Sequence, residues 1–101
     1  MNLTYVAVFL AGAFLCNCVP HLCAGLQGQS FPTPFARLSA AGRLPLVNFL
    51  WGSVSLLAAI TLLVRNRVVL GTNPRCFALA AGVLVMGLWL SYHFGKVRAA
   101  K

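Results

Sequence analysis

The chain has 101 residues, 60% of them apolar, and it carries eight Lys and Arg but no Asp or Glu. A soluble domain of this size would need charged side chains over its exposed surface, so this composition excludes one and indicates that most of the surface faces lipid. Without carboxylates the chain cannot carry paired-carboxylate catalysis or an acidic ion relay, and we do not expect an enzyme. The basic residues flank apolar runs and form no basic helix face, which argues against a nucleic-acid partner.

The first apolar run predicts a membrane-spanning helix over residues 3–25. Pro20 lies inside this run, but helices in lipid tolerate an internal proline better than helices in water do. A cleaved secretory signal is the alternative interpretation of residues 1–24. The run lacks the Lys or Arg that normally precedes the apolar core of a signal, so we expect a retained helix.

The segment 26–45 is too polar and too rich in Gly and Pro to cross a bilayer. Residues 31–35 read Phe-Pro-Thr-Pro-Phe, which is a stiff sequence because each proline fixes its own φ and restricts the residue before it. Phe31 and Phe35 bracket the two prolines, so we expect this loop to lie in the headgroup interface. It should fold back over the helices and bring one of the two rings near His21.

Two further apolar runs predict membrane spans over residues 46–65 and 75–95, each close to the ~20 residues that a helix needs to cross the hydrocarbon core. Asn73 is expected to cap the third helix, with Pro74 as its first residue. The predicted fold is therefore all-α. It is a three-transmembrane-helix bundle in a single domain, residues 1–101, with a Pro/Phe-rich interfacial loop between the first and second helices.

The three spans alternate in direction, so the end of the first, the start of the second and the end of the third lie on the same membrane side. That side collects the candidate binding residues, which are Asn17, His21, Asn48 and His93, capped by Phe31 and Phe35. The simplest interpretation is structural, because polar groups in lipid bond to one another or to carbonyls freed by a proline. The alternative is a ligand site, and the surplus of polar groups leads us to favour it.

Small and polar residues recur at helical spacing on the second and third spans. The stripe on the second helix is Asn48, Gly52, Ser55 and Ala59, and the stripe on the third is Ala78, Gly82, Met86, Trp89 and His93. Small residues let helices approach closely, and polar ones bond across the contact. The simplest assembly packs these stripes and the Asn17–His21 face against one another.

A metal or haem site is a weaker possibility. Two imidazoles at similar depth, His21 and His93, could ligate a haem or a metal ion, although both lie near the interface and we expect no cofactor. Cys16, Cys18 and Cys23 resemble a cluster with His21, but helical geometry points Cys18 and His21 away from the other two cysteines. Of the possible nucleophile–base pairs, helical phase allows only Cys18 with His21.

Several of these residues belong to longer motifs. The segments are Asn17-Cys18-Val19-Pro20-His21, then Gly25, Gly28, Phe31-Pro32-Thr33-Pro34-Phe35-Ala36, and later Asn48, Trp51-Gly52 and His93-Phe94-Gly95. The first part resembles the N-x-V-P-H…G-x-x-G-x-x-F-P-x-P-F-A motif of a family of small uncharacterised bacterial integral membrane proteins, and the later segments are similar to its pattern too. The resemblance covers most of the chain. It implies a bacterial inner-membrane location and no particular activity, and the cysteines are not part of the pattern.

Three hypotheses for function stay open. The leading one is a small scaffold or accessory protein whose folded-back loop binds a lipid headgroup, a small amphiphile or a larger membrane partner. Self-association or a partner protein is also expected, because three short spans bury little surface against each other. The second hypothesis is a haem- or metal-binding redox subunit that uses His21 and His93, and the third is a holin-like pore former.

The distribution of Lys and Arg predicts the orientation. The basic residues on the side of the first loop are Arg37, Arg43, Lys96, Arg98 and Lys101, against Arg65, Arg67 and Arg75 on the other side. Because basic residues near span ends are retained in the cytoplasm, this bias favours an N-terminus outside it.

Overall fold

The computed structural model describes residues 3–99 as three long helices. They are α1 (Leu3–Leu26), α2 (Pro45–Arg65) and α3 (Pro74–Ala99), with two 3₁₀ turns, Pro34–Arg37 and Ala40–Arg43, between α1 and α2. No strand occurs within this described range. All three helices are long and apolar enough to cross a membrane. The predicted all-α fold with three membrane-spanning helices is therefore confirmed, and α3 continues four residues beyond its predicted end.

The start of α3 follows the local sequence. The Asn73 side-chain oxygen accepts a hydrogen bond of 2.9 Å from the backbone N–H of Cys76, and the helix begins at Pro74. This bond satisfies one of the N–H groups that the first helical turn leaves without a partner. The predicted cap is confirmed.

The end of α2 is closed by two backbone hydrogen bonds. The N–H of Val68 donates to the carbonyl of Leu63 at 3.1 Å, and the N–H of Arg67 donates to the carbonyl of Val64 at 3.2 Å. This pair of bonds defines a Schellman motif. In this motif the first residue after the C-cap is normally a glycine in the left-handed region. Here Arg67 occupies that position with φ of 52°.

Helix α1 is the centre of the bundle. It packs against both α2 and α3, whereas no Cα of α2 comes within 8 Å of a Cα of α3 over the described residues. The expectation that three stripes pack together is therefore wrong for the α2–α3 pair. The reason is that α1 carries small residues on two different faces, so each neighbour docks on its own side.

The contact between α1 and α3 is a close crossing of backbones. A Cβ added to Gly82 would collide with the carbonyl of Phe9 on α1, and one added to Gly12 would collide with the carbonyl of Leu79 on α3. Gly82 is the one buried residue in the described part of α3. The rest of its predicted stripe is less covered, and Trp89 is 57% exposed.

The contact between α1 and α2 buries the whole stripe predicted on α2. The buried residues of this helix are Asn48, Gly52, Ser55 and Ala59. At Gly52 a Cβ would collide with the backbone and side chain of Leu22, so only glycine lets α2 approach α1 this closely. The spacing of small and polar residues therefore identified the inner face of α2 correctly.

Candidate functional site

The polar cluster begins with a hydrogen bond between α1 and α2. His21 is 1% exposed, and its Nδ1 lies 2.7 Å from Oδ1 of Asn48, which is completely buried. The Asn48 Nδ2 group faces carbonyl oxygens, so its Oδ1 is the acceptor and His21 carries its proton on Nδ1. The Nε2 atom of the ring then points away from Asn48.

Asn48 also ties the loop to α2. Its Nδ2 lies 2.6 Å from the carbonyl of Phe31, and the carbonyls of Arg43 and Leu44 are 3.3 Å and 3.1 Å away. The backbone N–H of Phe31 in turn donates to the carbonyl of Arg43 at 3.0 Å. Both backbone groups of Phe31 are thus held, and the loop cannot leave the bundle without breaking these bonds.

Asn17 makes a separate contact. Its Nδ2 donates to the hydroxyl of Ser55 on α2 at 3.1 Å. Asn17 therefore bonds across the α1–α2 contact one turn deeper than His21, rather than to His21 itself. Two polar bridges follow each other along the same helix pair.

Aromatic rings cover the His21–Asn48 pair. The Phe31 ring centroid lies 5.6 Å from that of His21 in an edge-on arrangement, and Phe94 of α3 lies 4.5 Å from Phe31 and 6.2 Å from His21. The prediction that a loop phenylalanine packs near His21 is confirmed for Phe31. These rings also link the loop to α3, in which Gly82 is the one buried residue of the described range.

His93 lies beside the cluster rather than within it. Its ring stacks on Trp89 at 5.5 Å and contacts Phe94 at 5.2 Å. Phe94 contacts both imidazoles, so its phenyl ring lies between His21 and His93. Within residues 3–99 no group of three His or Cys side chains could hold a metal ion. The Cys18 thiol donates to the carbonyl of Leu15 at 2.9 Å, not to His21.

Phe35 takes a different place from Phe31. Its ring packs edge-on against Trp51 of α2, with centroids 5.4 Å apart. The indole Nε1 of Trp51 is buried and has no hydrogen-bond partner among the described residues. An indole N–H normally finds an acceptor when it is removed from water, so this donor is a group that a ligand oxygen could satisfy.

The loop itself has a compact fold around Thr33. The Thr33 hydroxyl donates to the carbonyl of Gly42 at 2.6 Å and accepts from the N–H of Phe35 at 3.2 Å. A Cβ on Gly42 would collide with the backbone of Phe35 and Ala36. The two 3₁₀ turns are therefore pressed together and form a fixed cover over this end of the bundle.

A groove lies under this cover, between α2 and α3. Its volume is about 550 Å³, and we call it the α2–α3 groove. Its lining comes from four places: Phe14 and Asn17 of α1, Trp51 of α2, Met86, Trp89, Leu90, His93, Phe94 and Val97 of α3, and Pro32, Thr33, Pro34, Ala36, Arg37 and Arg43 of the loop. The groove exists because α2 and α3 dock on different faces of α1 and stay apart.

The groove is apolar at one end and cationic at the other. Phe14, Met86 and Leu90 supply apolar surface, and the loop supplies Arg37 and Arg43. The chain contains no Asp or Glu, so no side-chain carboxylate within it can neutralise either guanidinium group. This arrangement matches an amphiphile with an anionic head and an apolar tail.

Arg37 and Arg43 were not among the residues predicted for the site. In the sequence analysis they entered only the prediction of membrane orientation. The signal that could have identified them is their position in a Pro-stiffened loop with no acidic residue anywhere in the chain. Asn17 and His93 were predicted and do line the groove, whereas His21, Asn48 and Phe31 form the support beside it.

No family model, curated protein or solved structure matches this chain, so its function has to be inferred from the geometry of this end of the bundle.

Proposed function

We propose that this protein is a small membrane accessory or scaffold protein, not an enzyme, that binds an anionic phospholipid in the α2–α3 groove. The observation that carries this proposal is the pair of arginines without side-chain carboxylate partners at one end of a mostly apolar groove. The groove volume of about 550 Å³ falls in the range of ~300–1,000 Å³ typical of small-molecule sites. Planar guanidinium groups suit phosphate, because they can donate two parallel hydrogen bonds to it.

The surroundings suit a lipid rather than a soluble anion. Trp51 of α2 and Trp89 of α3 both line the groove, and indole rings favour the boundary between headgroups and hydrocarbon. The buried Nε1 of Trp51 is a donor that an ester or phosphate oxygen could engage after a small side-chain shift. The groove walls belong to helices that span the membrane, so a lipid can enter sideways without crossing water.

Location and orientation are part of the same proposal. The motif resemblance supports a bacterial inner membrane, and the excess of Lys and Arg on the loop side supports a cytoplasmic groove mouth. Inner leaflets rich in anionic lipids attract basic segments by about 1 kcal/mol per Lys or Arg near the surface. A C-terminal reporter that is active only inside the cytoplasm would agree with this orientation, and one active only outside would overturn it.

Tryptophan fluorescence tests lipid binding directly, because both tryptophans of the chain line the groove. A Trp89→Phe background leaves Trp51 as the reporter in micelles titrated with brominated-chain phosphatidylglycerol or phosphatidylcholine. Brominated chains quench indole on contact. We expect saturable quenching with a preference of about 30-fold for phosphatidylglycerol, since two arginines contribute ~2 kcal/mol together.

The matched variants make this test specific. Arg37→Gln with Arg43→Gln should remove the preference for the anionic lipid. Arg65→Gln with Arg67→Gln removes the same charge from the opposite end of α2 and should keep the preference. Equal quenching by both lipids, or equal loss in both double variants, would contradict the proposal.

A further inference from the structure

A second cavity adjoins the α2–α3 groove at the end of α3. Its volume is about 310 Å³, and it is lined by Ser30, Phe31, Pro32, Phe94, Val97 and Arg98. We call it the side cavity. Three of these residues, Pro32, Phe94 and Val97, also line the groove, so the two cavities share a wall.

Each cavity has its own cationic group. Arg98 lines the side cavity, while Arg37 and Arg43 line the groove. No acidic side chain in the sequence can pair with any of the three guanidinium groups. Two anion-attracting positions therefore lie on either side of one apolar wall.

The shared wall is well anchored. Phe94 packs on Phe31 with ring centroids 4.5 Å apart, and the Phe31 backbone is held by Arg43 and Asn48. Phe94, one of the three residues that separate the two cationic positions, is therefore held against the loop. Such a pair of positions suits a ligand whose two anionic groups are covalently linked.

We propose that the groove and the side cavity together bind one phospholipid that carries two phosphates joined by a short polar bridge, the chemistry of cardiolipin. One phosphate pairs with Arg37 and Arg43, and the other pairs with Arg98. This inference rests on the lipid-binding function proposed above. Linking the phosphates makes the second contact intramolecular, which raises affinity beyond that of two separate monophosphate lipids.

Competition in the Trp51 fluorescence assay tests the two-phosphate site. Protein loaded with brominated phosphatidylglycerol is titrated with unlabelled cardiolipin or unlabelled phosphatidylglycerol at equal phosphate concentration. We expect cardiolipin to displace the brominated lipid at a phosphate concentration at least about ten-fold lower, because of the effective concentration of the linked group. Arg98→Gln should reduce this advantage to less than about two-fold, the level of unlinked phosphates.

Lys96→Gln is the matched control. Lys96 carries the same charge two residues earlier on the same helix, but its Nζ lies over the ring of Tyr92 at 5.3 Å and it lines neither cavity. This variant should keep the advantage of cardiolipin. Equal displacement by both lipids per phosphate, or equal effects of Arg98→Gln and Lys96→Gln, would overturn the two-phosphate site. The binding of brominated phosphatidylglycerol that depends on Arg37 and Arg43 would then still support the simpler proposal, and its absence would overturn both.

Discussion

Asn48 connects three parts of the molecule at the level of a single side chain. Its oxygen accepts from His21 on α1, its nitrogen donates to the carbonyl of Phe31 in the loop, and its own backbone belongs to α2. Removing the Asn48 amide would therefore leave both the His21 N–H and the Phe31 carbonyl without this hydrogen-bond partner. The groove depends on this residue indirectly, because the loop that carries the arginines is tied to the bundle through it.

Asn48→Leu should therefore destabilise the protein more than the loss of one hydrogen bond would. Hydrogen bonds between membrane helices contribute ~0.6 kcal/mol on average, but an unsatisfied buried donor and acceptor cost ~1–3 kcal/mol each. We expect a loss of about 2–4 kcal/mol in the free energy of unfolding, measured by denaturant titration in micelles.

Ser55→Ala provides the comparison, because it removes only the bond from Asn17. Its cost should stay below about 1 kcal/mol. A cost for Asn48→Leu no larger than that of Ser55→Ala would contradict the central role of Asn48.

Some residue roles followed from sequence and others did not. Asn73 was identifiable as a cap and Asn48 as part of the inner face of α2, because both assignments depend on local spacing. The proximity of His21 and Asn48 was predictable because alternating helix directions bring the end of α1 and the start of α2 to the same membrane side. The position of Arg37 and Arg43 at the groove depends on how Thr33 and Gly42 fold the loop, and no periodic pattern in the sequence predicts that fold.

At the level of helices, the two contact faces of α1 decide the shape of the groove. The α1–α3 crossing depends on Gly82, where a Cβ would collide with the backbone of α1. Gly82→Ala should cost about 1–3 kcal/mol of unfolding free energy, as overpacked positions do, and thermal unfolding followed by circular dichroism would measure it. Gly87→Ala is the control, since its Cβ would make only an ordinary contact, 3.6 Å from the Cys16 sulfur. Equal effects of the two variants would rule out a close crossing at Gly82.

The end of α2 gives a prediction of opposite sign. Arg67 occupies the left-handed position of a Schellman motif, which costs a non-glycine residue ~1–2 kcal/mol. Arg67→Gly should therefore stabilise the protein by up to about 1 kcal/mol, after the extra chain entropy of glycine is subtracted. Arg65→Gly, at the last residue of α2, should instead destabilise it, by at most the ~1 kcal/mol that glycine costs in a helix interior. Chemical denaturation of both variants tests the signs, and destabilisation by Arg67→Gly would contradict the assigned conformation.

The positions of the three helices along the chain were predictable because long apolar runs have few alternatives in lipid. Their arrangement was not. The stripes on α2 and α3 both have the pattern of inner faces. Which helix packs on which face of α1 depends on α1 itself: Gly12 lies against α3, whereas Asn17 and His21 bond to α2. Pairwise spacing within a helix does not report which two of three helices touch.

The molecule as a whole is asymmetric. Helix α1 has the most buried residues, α2 is buried along one stripe, and Gly82 is the one buried residue of α3 in the described range. A groove bordered by a sparsely packed helix is open to lipid along its length, and a bound lipid would fill the space that α2 and α3 leave between them. We therefore expect bound lipid to stabilise the whole bundle, since a ligand that binds only the folded state raises its stability.

Native mass spectrometry of the detergent-solubilised protein tests the central claim most directly, because it counts the lipids that stay bound. The wild-type chain should retain an anionic phospholipid from the membrane, and so should the Arg65→Gln/Arg67→Gln variant. The Arg37→Gln/Arg43→Gln variant should release it at lower collision energy or carry none. Retention of the same lipid by all three proteins, or of none by the wild type, would contradict a lipid site built on the loop arginines.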